Sequence, residues 1–283
     1  MKKNILIIGS VIIILLLPLW YFAVVPEFEK MPVDYKFSID LFGTDNVYDL
    51  ESDEFMGEKV TNIKRSISAH KSTKETVTVK DVFAVNELSG KLIYQIEQDF
   101  IVNRNTKVIE RTSQLAYFEF PRNVEKKEYP VWFYYINNPE IASFEKTEEI
   151  QGLTTFVFFL KHKFDNTLGV AEGNPLVPEK YNTVAELDAK IWVEPKTGII
   201  VKMEDYGSSS YVEKTDDVFT ADIIKPFLKW TNKYSSDSTS KQVLIAQNER
   251  FKLLLIKTII PLLLVVAIAL ITFFLSLNGE TKE

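Results

Sequence analysis

Two histidines, His70 and His162, and two dense carboxylate groups, Glu51-Ser52-Asp53-Glu54 and Asp216-Asp217, are the side chains from which a catalytic or metal centre would be assembled. The chain has no cysteine, which excludes a disulfide framework, a thiolate nucleophile and a Cys-based zinc or iron–sulfur site. His162 lies in Lys161-His162-Lys163, where flanking lysines oppose a bound cation, so a surface histidine is expected. His70, beside Lys71, is read the same way. The carboxylates offer oxygen ligands for Ca²⁺ but lack the glycine and spacing of a known loop; solvated turns are expected, with calcium as the alternative. No Gly-x-Ser-x-Gly elbow, P-loop, dinucleotide fingerprint or His-Glu-x-x-His helix occurs. A glycosidase pair depends on separation in space, and nothing in the sequence supports one. The reading is non-enzymatic, with no catalytic residue, metal or cofactor.

The elements that carry these side chains are unevenly apolar. Of 283 residues 46 % are hydrophobic, and the net charge is −6, which argues against a nucleic-acid partner. Residues 5–25 (ILIIGSVIIILLLPLWYFAVV) are uncharged and as a helix would extend roughly 32 Å, enough to cross a bilayer. Lys2 and Lys3 precede this run, which puts the N-terminus in the cytoplasm. A cleaved signal peptide is the competing reading, although no A-x-A site is found after the run. Residues 253–277 form a second candidate span, with Lys257 expected to snorkel to the headgroups and Pro261 to kink the helix. Arg250, Lys252 and Lys257 cluster on the side assigned to the outside, against the positive-inside rule; the first helix is given precedence because long loops translocate regardless of charge.

The organisation expected is a cytoplasmic tail (1–4), a first span (5–25), an extracytoplasmic β-rich domain (26–236), a stalk helix (237–252), a second span (253–277) and a cytoplasmic tail (278–283). Both termini are cytoplasmic in this reading. Residues 26–249 carry 27 basic and 37 acidic side chains, net −10. Such a surface does not grip anionic lipid by charge.

Within this domain the hydrophobic period is two. Residues 36–42, 60–69, 76–85 and 92–102 read as strands, with Leu88-Ser89-Gly90-Lys91 as a turn and Arg104-Asn105-Thr106 as a hairpin tip leading into 107–112. Thr154–Leu160 is apolar on both faces and is expected to be a strand covered on both sides. Residues 191–203 read as strand, tight turn and strand, with Pro195 and Gly198 supplying the turn. A loop is expected over 169–182, and Thr183-x-x-Glu186 could cap a short helix. Ser235, Ser236, Asp237 and Ser238 are N-cap candidates for one continuous helix running into the second span.

The two-helix frame and several motifs resemble the PorA family of actinobacteria and archaea. These are Phe120-Pro121, Lys126-Lys127-x-Tyr129-Pro130-x-Trp132, Trp192-Val193-Glu194-Pro195-x-Thr197-Gly198-Ile199-Ile200-Val201-Lys202 and Phe219-Thr220-Ala221-Asp222. That family is largely a domain of unknown function and supplies no catalytic residues. The Trp192–Gly198 hairpin is also similar to one in LolA-like lipoprotein carriers, curved antiparallel sheets that hold an acyl chain. The resemblance implies a mainly β fold: a curved antiparallel sheet, a LolA-like half-barrel, between two transmembrane helices. Scavenger receptors with a lipid-conducting ectodomain between two spans offer an analogy of topology alone.

A sheet curled round a cavity needs large apolar side chains inside it. Aromatics concentrate between 120 and 160. Trp132, Phe133, Tyr135, Phe156, Phe158 and Trp192 are the candidates for an apolar ligand cavity; the competing reading is that they fill a closed core. The function expected is a membrane-anchored surface protein that binds or passes a lipid or other apolar ligand. The alternative is a non-enzymatic envelope tether or accessory subunit. Membrane lipid, an apolar ligand, a second copy or an envelope protein are the partners this reading allows. Two spanning helices cannot enclose a pore unaided, and the strands are too polar for a lipid-facing barrel.

Overall fold

Alternating β-branched and aromatic residues build one antiparallel sheet in this computed structural model, which describes residues 2–110, 114–133, 138–167 and 177–278. The strands are β1 (Lys36–Asp49), β2 (Glu54–Phe55), β3 (Lys59–Ser72), β4 (Thr76–Glu87), β5 (Leu92–Asn103), β6 (Tyr129–Phe133), β7 (Asn138–Ile150), β8 (Leu153–Asp165), β9 (Tyr181–Val193), β10 (Ile200–Glu213) and β11 (Ile223–Tyr234). Ten lie in the order β5-β4-β3-β1-β11-β10-β9-β8-β7-β6, and the two-residue β2 pairs with β1. The sheet curls into a half-barrel. Its first and last strands are neighbours, with Leu41 opposite Tyr234 and Val47 opposite Leu228.

This order makes the two edge strands, β5 and β6, consecutive in the chain. The connecting segment 104–128 therefore has to cross the inner side of the curl, and it seats Phe120 and Val124 in the main core with Ile39, Leu41, Phe83, Phe158 and Ile191. We refer to it as the strap. Single-residue bridges join Val102 to Ile109, Val108 to Tyr117 and Tyr117 to Val131, so the strap links β5 to β6 at one end of the curl. Sequence reading places a hairpin tip at 104–106 leading into 107–112, and a turn is found at the tip; beyond it the described residues 107–110 make isolated bridges rather than a strand.

The outer face carries a smaller cluster of Leu153, Val157, Trp192 and Val201, covered by Val243 and Ala246. Those two residues belong to helix α3 (Ser236–Leu254). Ser235 caps it, its Oγ accepting the Ser238 N–H at 3.0 Å as the N-cap pattern predicts. The Thr183–Glu186 stretch is strand, not helix: Thr183, Ala185, Leu187 and Ala189 are buried at alternate positions of β9, and that period outweighs a capping box. The strand over Thr154–Leu160 has the expected cover on both faces, Val157 under α3 and Phe158 in the main core.

Residues 31–246 form one compact unit; residues 1–30 with 247–283 form a second. The second unit holds α1 (Lys2–Leu19), a wide π-helical turn (Trp20–Val24) and α2 (Val25–Glu29), then the end of α3, another π-helical turn (Leu255–Ile259) and α4 (Ile260–Asn278). Ile7–Glu29 and Ser236–Ser276 are long and apolar enough to cross a membrane. Lys257, expected to snorkel toward headgroups, pairs with Glu29 at 2.6 Å. An acidic partner within reach makes a contact that holds the ammonium in place.

Candidate functional site

The inner face of the half-barrel is the one surface where the sequence places a ligand, and its floor is built by alternation. Along β8, Phe156 and Phe158 point inward while Val157 points outward; along β9, Ile191 and Val193 point inward while Trp192 points outward. Of the six cavity candidates, Phe133, Phe156 and Phe158 share the main inner core. Trp132 packs elsewhere, edge-on against Phe100 at 5.3 Å. Trp192 lies beneath α3 on the outer face. Tyr135 lies outside the described residues, as do Tyr134 and most of the 169–182 loop.

The strap and the start of β6 fill the inner face with aromatic side chains. Phe120 lies tilted against Phe158 at 4.8 Å, and Tyr129 meets both of them edge-on at 5.4 and 5.7 Å. Phe144 extends the row, 5.5 Å from Phe156 and 6.1 Å from Phe158. Phe144 and Phe156 are only half-buried, and the Lys126 ammonium sits over both rings at 5.3 Å. A cation over ring faces is held by their quadrupoles at little desolvation cost.

Two polar devices hold the strap. The first is the Glu194–Gly198 turn. Asn123 and Val124 donate to the Lys196 and Pro195 carbonyls at 3.2 and 2.6 Å. Gly198 has φ +75°, and a Cβ there would overlap the Pro121 and Phe120 carbonyl oxygens. Only glycine meets both requirements. The buried Glu194 carboxylate fixes the turn by accepting from the Thr197 N–H and hydroxyl at 2.8 and 2.7 Å. The second device is Glu119, which accepts from the Tyr35 hydroxyl and pairs with Lys107 at 3.3 Å. Burial, and then the neighbouring Glu119 carboxylate, push the Tyr35 hydroxyl well above its ordinary range. Close by on the sheet, Arg65 holds Asp81 through two nitrogens, at 2.6 and 3.1 Å.

Beyond the strap the inner face turns polar. Asp205 accepts from the Asn232 amide at 2.9 Å, and Trp230 lies flat over Gly207, whose missing Cβ makes room for the ring. Burial raises Asp45 to about 6. His162 is not the surface histidine expected from its lysine neighbours: it is half-buried, contacts Glu140 at 2.7 Å and stacks on Phe164. Strand alternation explains this, because Lys161 and Lys163 point outward while His162 points inward. Burial raises Glu140 to about 7 and lowers His162, so desolvation works against charge on both partners.

Asp53 and Asp217, from the carboxylate groups singled out in the sequence, and Asp49 just ahead of the first group hold local contacts. Asp49 accepts from the Ser52 hydroxyl and from the Glu51 and Ser52 N–H groups, and Asp53 binds Tyr48 and Lys225. Asp217 accepts from the Phe219 N–H and the Thr220 hydroxyl, both at 3.0 Å. Among the described residues no three metal-ligating side chains converge.

A family model described as "Porin PorA" matches residues 4–275. Among solved structures, a putative oleoyl thioesterase from Lactobacillus plantarum is 11 % identical, with 70 % of this chain and 75 % of that one covered, at a TM-score of 0.13; a likeness so slight bears on neither fold nor activity. No curated protein matches the chain.

Proposed function

The chain belongs to the PorA family, and on that premise we propose that it is a non-enzymatic, two-pass membrane protein whose extracytoplasmic half-barrel takes up an apolar ligand, a lipid chain, on its inner face. Ile14, Leu15, Leu262 and Phe274 are among the apolar side chains exposed on the two long helices, a composition suited to hydrocarbon rather than water. Lys2 and Lys3 ahead of the first helix favour placing both termini on the cytoplasmic side. On the opposite side, Lys252 and Lys257 have acidic partners, Glu249 and Glu29, at 2.6 Å each.

The observation that carries the ligand reading is the set of half-buried apolar side chains packed around the strapped core. Phe144, Phe156, Ile96 and Ile200 all belong to it, and a single flexible lysine lies over the first two. The strap lies outside the sheet ladder, tied down by the bridges to β5 and β6 and by the Glu194–Gly198 turn, and displacing its Phe120–Val124 stretch uncovers the apolar side chains beneath it. A second reading, an envelope tether or accessory subunit, is favoured by the filling of that face: Phe120 and Val124 of the strap, with Tyr129 of β6, already occupy it.

The test uses a photoactivatable palmitate analogue with the full-length protein in native-lipid nanodiscs, and peptide mapping of the adducts. Adducts on β7, β8 or the strap, competed by excess unlabelled palmitate, support uptake. Adducts confined to the two apolar helices overturn it and leave the tether reading.

A further inference from the structure

The two π-helical turns share a sequence spacing: Trp20–Val24 begins six residues before Pro26, and Leu255–Ile259 begins six residues before Pro261. The cause is chemical. Proline has no N–H, so a helix containing it leaves upstream carbonyls without a donor. With i→i+5 bonding, as in Ile260 N–H to the Leu255 carbonyl, the Ile256 carbonyl would look to residue 261. With i→i+4 bonding, the Lys257 carbonyl would look to the same residue. Pro261 satisfies neither.

Those two carbonyls are the ones the first helix reaches. The Trp20 indole N–H donates to the Ile256 carbonyl at 2.9 Å, and the Tyr21 hydroxyl donates to the Lys257 carbonyl at 2.6 Å. The Lys257 ammonium then pairs with Glu29 at 2.6 Å. Trp20 also lines the apolar seam between the helices with Leu16, Leu17, Leu264 and Ile268. Further along the pair, Gly9 lies against Thr272, with 3.1 Å between an added Cβ and the threonine Cβ.

We propose that Trp20 and Tyr21 form a latch over the proline hinge of the second apolar helix, so that the two helices move as one body. An orphaned carbonyl in hydrocarbon is costly, and neighbouring helices are the usual source of replacement donors. The latch supplies both donors from adjacent residues of one partner. When it opens, the second helix is free to bend at Pro261 and the seam below it loosens. The latch belongs to the helix pair alone and stands whether or not the half-barrel binds lipid.

The absence of cysteine allows a direct test. Full-length protein carrying G9C and T272C, in lipid nanodiscs, reports the helix pair through its rate of oxidative disulfide formation. Tyr21→Phe, which removes one oxygen, and W20F are each expected to slow that rate about threefold, the factor for one membrane hydrogen bond of average strength. The deciding comparison is the same pair of substitutions in a Pro261→Ala background, where the restored N–H satisfies a carbonyl within its own helix. There, Tyr21→Phe is expected to lose its effect. An unchanged rate in the Pro261 chain, or equal slowing in both backgrounds, overturns the latch and assigns Trp20 and Tyr21 to packing alone.

Discussion

The two faces of the sheet solve the same problem by different means. The outer face buries a small cluster beneath a regular helix, with Val243 and Ala246 against Leu153, Val157, Trp192 and Val201. The inner face buries a much larger cluster beneath a strap whose described residues form no helix or named strand. A helix satisfies its own backbone and can be laid on a sheet by its apolar stripe. A strap cannot, and its backbone groups need dedicated partners; the Glu194–Gly198 turn provides two of them. Aromatic mass and a glycine seat thus stand in for helical hydrogen bonding.

Truncation on each face tests this asymmetry most strongly. Phe158→Ala, at a site with no exposure, is expected to cost about 3–5 kcal/mol, and Val243→Ala about 1–3 kcal/mol, both read by chemical denaturation of the full chain. Equal costs would break the comparison. Next in size is Gly198→Ala, expected to cost about 2 kcal/mol through its left-handed backbone and its clash with the strap carbonyls. Limited proteolysis within 104–128 should accelerate while cleavage in α3 does not. Uniform acceleration would mean that the turn supports the whole sheet rather than the strap.

The smallest effect concerns charge, which distinguishes the polar part of the inner face. Asp45 rises to about 6 on burial, above its ordinary 3.8, so the folded state prefers the protonated acid. That preference is fully present below about pH 4 and is lost as pH rises through 6. Asp45→Asn is therefore expected to match the parent at pH 4 and exceed it by about 1–3 kcal/mol at pH 8. A pH-independent difference in thermal unfolding would remove burial of the charge as the cause.

Much of this architecture was legible because a strand announces itself. The runs at 36–42, 76–85 and 92–102 became β1, β4 and β5, the first extended to Asp49 and the others nearly as read. The helix start at Ser235 and Ser236 was marked by residues whose oxygens cap N–H groups. The strap was not legible, since Pro121 and polar turn residues break up a sustained period over 104–128. One signal was present: Ala116, Phe118 and Phe120 are buried at alternate positions, a strand-like period outside the sheet. Of the inner-face residues, Phe133, Phe156 and Phe158 could be found from composition. His162 could not be placed, because its environment is set by Glu140 and Phe164, and pairing across strands is a property of register.

The pairing of β1 with β11 has a consequence in time. Leu41 and Tyr234 meet only after nearly the whole domain has been made, so the central seam of the sheet is among the contacts of greatest sequence separation. Such contacts are formed late and slowly. During synthesis β1 can pair with β3 on one side while its other side stays bare, a template for any extended chain nearby. The vulnerable interval ends when β11 arrives, and the second apolar helix emerges almost at once. Folding of the sheet and delivery of the second helix are thus nearly simultaneous events, and a slow step in either prolongs the exposure of β1.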